Sequence, residues 1–213
     1  MKTFYLLACA AIATTHAACS GVGQERLPIL GEKEYVRTTE DGMERIDTVF
    51  HTIPPFRLLD QNGNWLDNKT FDGKIYVADF FFTRCPTICP IMSRNLLTIA
   101  RHFEGNDRFA ILSHTIDPGH DTASVLKAYA DKLGAPPLWR FVNGPKAEVY
   151  RLAGQEGYFS FAQEDATAPG GFNHSGAFTL VDEKRRVRGL YDGTLTDSIP
   201  KIIADIEKLL NKG

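Results

Sequence analysis

An apolar run followed at once by two closely spaced cysteines is the feature that most constrains this chain. Residues 75–82 read Ile-Tyr-Val-Ala-Asp-Phe-Phe-Phe, which is the length and composition of a buried strand. Cys85 and Cys89 come next, within Arg84–Pro90, and a helix-like pattern begins directly after them. The strand therefore delivers both thiols to the start of a helix, where unpaired N–H groups and the helix dipole favour a thiolate.

The rest of the chain continues as strands and helices in alternation, which indicates parallel pairing in a sheet. The predicted elements are a strand at 75–82, a helix at about 90–104, a strand at 109–116, a helix at 121–133, a strand at 139–142, a helix at 145–155, strands at 177–181 and 187–191, and a last helix capped by Thr196 or Asp197. An Asn-Gly pair at 62–63 between apolar runs predicts a further hairpin near 56–66. The pattern predicts an α/β, thioredoxin-like fold with a central mixed sheet flanked by helices and an N-terminal β-hairpin extension.

The N-terminal segment is typical of an exported protein. Residues 1–18 carry one lysine, an apolar stretch and then small residues, and the apolar stretch is about half of the roughly 20 residues that span a bilayer. Cys19 follows directly, which predicts a lipoprotein cleavage site and an acylated cysteine that tethers the domain to a membrane. Plain secretory cleavage is the alternative. We expect residues 19–50 to form an irregular tether and strap, and 51–213 to form the domain, on the outer face of the cytoplasmic membrane or in the periplasm.

Composition limits the partners and the thiol chemistry. The formal charge is -2, from 24 Lys and Arg against 26 Asp and Glu, which gives no electrostatic footprint for binding nucleic acid. Of the four cysteines, Cys9 lies in the export signal and Cys19 is either acylated or loose, so Cys85 and Cys89 remain. An oxidising compartment converts such a pair into a disulfide, and a reductant is then needed before the pair binds a metal.

Three interpretations of the cysteine pair compete. A static disulfide would close a very short loop and add little stability. A thiol-disulfide oxidoreductase usually has two rather than three residues between its cysteines, and a cis-proline loop opposite them. Here the nearest proline before the strand that begins near Ser175 is Pro169. The third interpretation is a metal site.

A histidine occupies the place where that proline would lie. His174 follows a Gly-Gly loop and enters a strand predicted to neighbour the one that carries the cysteines. Two thiolates and one imidazole form a soft ligand set that suits Cu(I), with Zn(II) as an alternative if water supplied a fourth ligand. His114, on the strand at 109–116, is a second candidate for the same end of the sheet.

Other polar and sulfur side chains near the pair have plainer roles. Met92 offers a thioether, but it lies on the apolar stripe of the helix, which indicates core packing. Asp121 is suited to capping the helix at 121–133, and Asp117 with Asp121 could instead form an acidic loop that docks a partner. The remaining histidines of the domain, His51, His102 and His120, have the character of surface or edge positions.

Several of these motifs together resemble the Sco/SenC family, the copper-handling, thioredoxin-fold proteins of cytochrome c oxidase assembly. The resemblance covers about residues 50–210. It rests on the Phe-rich strand, Thr83–Pro90, Thr115–Pro118 with Asp121-Thr122, His174 and Tyr191–Thr194. Any one of these pieces alone would be weak, whereas the combination is specific.

The resemblance implies a ligand set and a set of partners. Cys85, Cys89 and His174 would bind copper, with Cu(I) favoured over Cu(II), and the cysteines would cycle between a dithiol and a Cys85–Cys89 disulfide. The protein would support metallation of the binuclear copper centre in the copper-bearing subunit of the oxidase, with a copper donor and a thiol reductant as further partners. We expect a binding and transfer protein rather than a turnover enzyme. A thiol-disulfide reductase acting on that subunit is the first alternative, and a peroxiredoxin-like peroxidase the second.

Overall fold

The structure is a computed structural model that describes residues 26–211. The predicted export signal and Cys19 lie outside these residues. Within them, every helix is too short or too polar to cross a bilayer.

Eleven strands and four helices make up the described part of the chain. The strands are β1 (Lys33–Glu40), β2 (Met43–Phe50), β3 (Arg57–Asp60), β4 (Trp65–Asp67), β5 (Ile75–Phe81), β6 (Phe109–Thr115), β7 (Trp139–Asn143), β8 (Ala162–Glu164), β9 (Phe172–His174), β10 (Ala177–Val181) and β11 (Val187–Asp192). The helices are α1 (Cys89–His102), α2 (Ala123–Leu133), α3 (Lys146–Ala153) and α4 (Ile199–Leu210).

Seven strands form the central sheet in the order β11-β10-β5-β6-β7-β3-β4. The pairs β5–β6 and β6–β7 are parallel, while β10 runs antiparallel to both β5 and β11. The β3–β4 hairpin is the one predicted around the Asn-Gly pair, and it joins this sheet through β3 and β7. This arrangement confirms the predicted mixed sheet and thioredoxin-like fold.

The central strand β5 is buried on both faces because layers of side chains cover each side of it. On one face Phe81 contacts Tyr129 of α2, whose hydroxyl hydrogen-bonds Ser93 of α1 at 2.8 Å between the oxygens. On the other face Tyr158, which follows α3, packs against Tyr76 and Phe80. The apolar run seen in the sequence is therefore the middle of a three-layer core, and it holds the segment after Phe81 in a fixed position.

The segment before the domain differs from its prediction. Residues 26–32 do act as a strap, since the Leu30 amide donates to Val187 O at 2.8 Å and Arg188 Nε donates to Pro28 O at 2.8 Å. Residues 33–50, however, form the antiparallel β1–β2 hairpin instead of irregular chain. Asp41 and Gly42 make its turn with φ of 52° and 76°, the positive values that a tight hairpin turn requires.

The hairpin and the strap meet the domain at the end of the sheet where β5 begins. The His51 amide donates to Glu32 O at 3.1 Å, which closes the base of the hairpin, and the Ile53 amide donates to Arg185 O at 2.8 Å. Arg185 lies in the turn between β10 and β11, and Val181 before that turn pairs with Tyr76 near the start of β5. The cysteines follow the other end of β5.

Two helix starts also differ from their predictions. Helix α2 begins at Ala123 instead of at residue 121, because Thr122 rather than Asp121 is its N-cap and accepts from the Val125 amide. Helix α4 begins at Ile199, and residues 196–198 form a separate 3-10 turn instead of a side-chain cap.

Candidate metal centre

The two cysteines lie at the junction of β5 and α1. The Cys85 amide donates to Phe82 O at 3.2 Å, which turns the chain back after the strand. Cys89 is the first residue of α1, and Pro90 sits in the first turn, where a missing N–H costs nothing. Both cysteines are free thiols here, Cys85 being 9% exposed and Cys89 only 1%. Cys85 is thus the thiol that solvent and partners can reach.

His174 approaches the same place from β9, which pairs with β8 in a small two-stranded sheet. The sequence placed His174 at the entrance of the following strand, whereas it ends β9 and β10 begins only at Ala177. Its Nδ1 lies 3.0 Å from Ser175 O and must donate, because a carbonyl only accepts. The other ring nitrogen, Nε2, faces the cysteines and lies 3.4 Å from Cys89 Sγ. A backbone carbonyl that holds one ring nitrogen is a common way to orient a metal-binding histidine.

The three predicted ligands are brought together. One donor atom each from Cys85, Cys89 and His174 lies within 4.8 Å of the others, and all three residues are buried. Across residues 26–211 this is the one cluster of at least three His, Cys, Asp or Glu side chains with that geometry. Its composition of two sulfurs and one imidazole matches the set expected from the sequence.

The cysteines share one proton between them. A hydrogen bond from the Cys89 thiol lowers the pKa of Cys85 to about 3, against the opposing effect of burial. The same pairing with Cys85, together with burial, raises the pKa of Cys89. At neutral pH the site therefore holds a Cys85 thiolate and a Cys89 thiol. Thr87 adds a weak contact, with Oγ1 at 3.7 Å from the Cys85 sulfur.

An aromatic wall borders the ligands. The Phe82 ring lies 5.0 Å from the Phe172 ring and 5.8 Å from the His174 imidazole, centroid to centroid. Gly170 has φ of 80°, and a Cβ there would come within 2.7 Å of the Phe82 ring. Glycine at this position is thus what allows the loop that carries His174 to close over Phe82.

A buried carboxyl lies below the site. Asp79 of β5 is 2% exposed and accepts a hydrogen bond from Ser113 Oγ, which in turn accepts from Trp139 Nε1 at 2.8 Å. Burial raises the pKa of Asp79 to about 7, and the hydrogen bond from Ser113 opposes that shift. No role was predicted for Asp79, although a single acidic residue inside an otherwise apolar strand is a visible signal in the sequence.

The two aspartates after β6 brace the cysteine loop. Asp121 is fully buried and accepts from the Thr83 amide at 3.1 Å and from Thr115 Oγ1 at 2.5 Å. Asp117 forms an ion pair with Arg84, with 2.6 Å between Arg84 Nη2 and Asp117 Oδ2. Both carboxylates are engaged within the chain, so neither forms the free acidic loop that the sequence suggested for docking a partner.

The other candidate ligands lie elsewhere. His114 is completely buried, stacks on Phe80 with centroids 4.8 Å apart, and has its Nδ1 3.2 Å from Asp79 O. Burial lowers its pKa to about 4, so it is neutral, and it is outside the ligand cluster. Met92 is 1% exposed on the core side of α1, as expected. Of the remaining histidines, His102 and His120 are exposed, and the half-buried His51 has Nε2 3.0 Å from Gly157 O.

Comparison with known proteins covers the whole domain. The family model described as SCO1/SenC matches residues 44–211, a range that contains all three ligands. The SCO1 protein homolog of Bacillus subtilis is 26% identical over 172 residues, which cover 78% of this chain and 86% of that protein.

Two solved structures have the same fold. A SCO1/SenC family lipoprotein from Bacillus anthracis is 25% identical with a TM-score of 0.69, over 75% of this chain and 95% of that one. Yeast Sco1 with copper bound is 25% identical with a TM-score of 0.58, over 73% of this chain and 88% of that one.

Proposed function

Since this chain belongs to the SCO1/SenC family, we propose that it is an extracytoplasmic copper metallochaperone. The observation that carries the proposal is the cluster of Cys85, Cys89 and His174, whose donor atoms lie within 4.8 Å of one another. The ligand set is soft and small in number, which suits Cu(I) better than a hard divalent cation, with Cu(II) as the alternative. The copper-bound yeast relative supports the choice of copper.

The site is built for exchange of its cargo as well as for binding. Cys89 is almost fully enclosed, while Cys85 retains some exposure beside a pocket of about 280 Å³ lined also by Thr87 and Asn173. An incoming ligand can therefore reach the metal from the Cys85 side and replace one protein ligand at a time. When both thiolates hold the metal, a two-electron oxidant that takes two electrons from them forms the Cys85–Cys89 disulfide, which leaves no thiolate donor and releases the metal.

The partners follow from the family. We propose that the client is the copper-bearing subunit of cytochrome c oxidase, and that the protein receives copper from a donor and electrons from a thiol reductant. The export signal at 1–18 and Cys19 support a lipid-anchored form outside the cytoplasm, and the Bacillus anthracis relative is itself described as a lipoprotein. The acyl chain would tether the domain to the membrane surface.

A thiol-disulfide reductase acting on the same subunit is the second candidate. It is favoured by one observation, the asymmetry between a reachable Cys85 thiolate and a buried Cys89 thiol. That is the arrangement of an attacking and a resolving cysteine. The reductase would not need the imidazole of His174.

Copper titration of the reduced protein under anaerobic conditions tests the first proposal. We expect one tightly bound Cu(I) per chain, weaker binding in His174→Ala, unchanged binding in the exposed-histidine control His120→Ala, and none after oxidation of the cysteines. Absent binding in the parent protein, or equal affinity in His174→Ala, would reject the three-ligand site. Dithiol exchange that persists in His174→Ala would then move the reductase to first place.

A further inference from the structure

The β1–β2 hairpin is the most exposed element of the described chain. Every residue of β1 is exposed, and β2 is exposed except at Asp47 and Phe50, which are half-buried. Large apolar side chains are among the exposed ones, including Tyr35 at 71%, Met43 at 72% and Ile46 at 62%. Both faces of the hairpin are thus uncovered, although it contains the residues that a covered sheet would bury.

Such a hairpin is incomplete as a folding unit. An isolated two-stranded sheet is marginally stable in water, and three or more strands are usually needed. Within residues 26–211 the sheet consists of β1 and β2 alone, each eight residues long, so each strand keeps one open edge. A long open edge is a template for pairing with another strand.

We propose that β2 pairs antiparallel with β2 of a second copy of this chain, giving a four-stranded sheet with a twofold axis at Ile46. In this register Ile46 faces the second copy's Ile46. Arg45 faces the second copy's Asp47, Met43 faces its Val49, and Glu44 faces its Thr48. Apolar residues therefore meet apolar residues, and opposite charges meet twice, since the twofold axis repeats each pair.

Neighbouring registers lack this complementarity. Side chains that lie opposite each other must be on the same face of the sheet. The twofold axis can therefore move along β2 only from one residue to the next. An axis at Arg45 places arginine against arginine and Met43 against aspartate. An axis at Asp47 places aspartate against aspartate and Arg45 against valine. The Ile46 register thus avoids the like-charge pairs that destabilise a sheet.

The charge of the hairpin argues against a lipid surface as the occupant. Residues 33–50 contain five acidic and three basic side chains, which is a net charge of -2. An anionic membrane surface attracts basic segments and repels acidic ones.

Pairing of β1 with β1 of a second copy is less favourable than pairing through β2. A twofold axis at Val36 would place Tyr35 opposite arginine and Glu34 opposite threonine, without any acid–base pair.

The metal centre stays open in this dimer. The hairpin joins the domain beside Arg185, near the start of β5, whereas Cys85 and Cys89 follow the end of β5. Pairing through β2 therefore brings two domains together without covering either set of ligands.

Charge reversal across the edge tests the proposal. The parent protein for this test carries Cys19→Ser, so that no acyl chain can bring copies together. Its molecular mass is measured by sedimentation equilibrium over a range of concentrations. Arg45→Asp gives two acids per edge and Asp47→Arg gives two bases, so each variant alone faces its own charge. We expect a reversible dimer in the parent and about tenfold weaker or worse dimerisation in each single variant.

Mixing the two variants isolates the contact between copies. Within each variant chain positions 45 and 47 remain like-charged, but in the mixture every facing pair is one acid and one base. We expect the mixture to form a heterodimer that neither variant forms with itself. Glu34→Lys, a charge reversal on β1, should leave the parent dimer unchanged.

Three results would overturn the β2–β2 dimer. They are a parent protein that stays monomeric at all concentrations, single variants that dimerise as the parent does, and a mixture that yields no heterodimer.

Discussion

Replacing Asp79 with Asn should make the protein more stable above neutral pH and leave it almost unchanged in mild acid. Asp79 is 2% exposed in the centre of β5, and burial raises its pKa from 3.8 to about 7. The folded state thus keeps a proton that the unfolded chain gives up in the window between about pH 4 and pH 7. The contribution of Asp79 to the free energy of unfolding therefore falls as pH rises through that window, and it is constant above and below the window.

The size of the effect follows from the shift. A difference of about three pKa units corresponds to about 4 kcal/mol at full ionisation, as an upper bound. An Asn side chain fills nearly the same volume, its carbonyl oxygen can still accept from Ser113 Oγ, and it does not ionise. The stabilisation by Asp79→Asn should therefore grow from near zero at about pH 4 toward this bound at about pH 8.

Urea unfolding of the reduced, metal-free protein at a series of pH values measures this difference. Asp72→Asn, at an exposed position, is the matched control for replacing one aspartate with asparagine. Other carboxylates titrate equally in the parent and the variant, so their contributions cancel in the comparison. A difference for Asp79→Asn that is constant across pH, or a variant less stable than the parent at pH 8, would refute the reasoning.

Two further predictions concern the ligand loops. Gly170→Ala should lower the free energy of unfolding by about 1–3 kcal/mol and weaken copper binding, because it combines a positive φ with a clash against Phe82. Gly171→Ala has a positive φ but open space, so it should show only the smaller backbone cost. Equal effects of the two variants in chemical unfolding and in copper titration would contradict the clash. Alkylation of Cys85 by iodoacetamide should stay nearly as fast at pH 5 as at pH 8 in the parent. It should fall steeply with decreasing pH in Cys89→Ala, where the hydrogen-bond donor that stabilises the thiolate is gone. Identical pH profiles, read by mass spectrometry, would show that the two sulfurs are not coupled.

The sequence predicted the central sheet and the ligands because both leave strong local signals. The apolar run at 75–82 has no alternation, as expected of a strand covered on both faces, and the helices after it show clear apolar stripes. Only three residues separate the cysteines in the chain, so their proximity needed no tertiary contact. His174 required the strand order as well, and the thioredoxin-like layout supplied it.

The features that could not be predicted from the sequence depend on contacts between distant segments, or belong to strands that are exposed on both faces. The local sequence predicts that Asp121 caps a helix. In the structure its carboxylate instead accepts from the amide of Thr83, 38 positions earlier, and so braces the cysteine loop. The β1–β2 hairpin buries neither face, so its sequence lacks the apolar alternation of a half-buried strand and predicts irregular chain instead. Its one local signal was the Asp41-Gly42 pair at the turn.

The shared proton of the cysteine pair has a consequence for electrostatics in the pocket. Since Cys85 is already a thiolate, binding one Cu(I) through both sulfurs displaces only the thiol proton of Cys89. One positive charge replaces another, so the net charge of the pocket is the same when empty and when loaded. Uptake should then strengthen tenfold per pH unit near neutrality, where two independent thiols would give a hundredfold. Loading therefore leaves the net charge beside Phe82 and Phe172 unchanged.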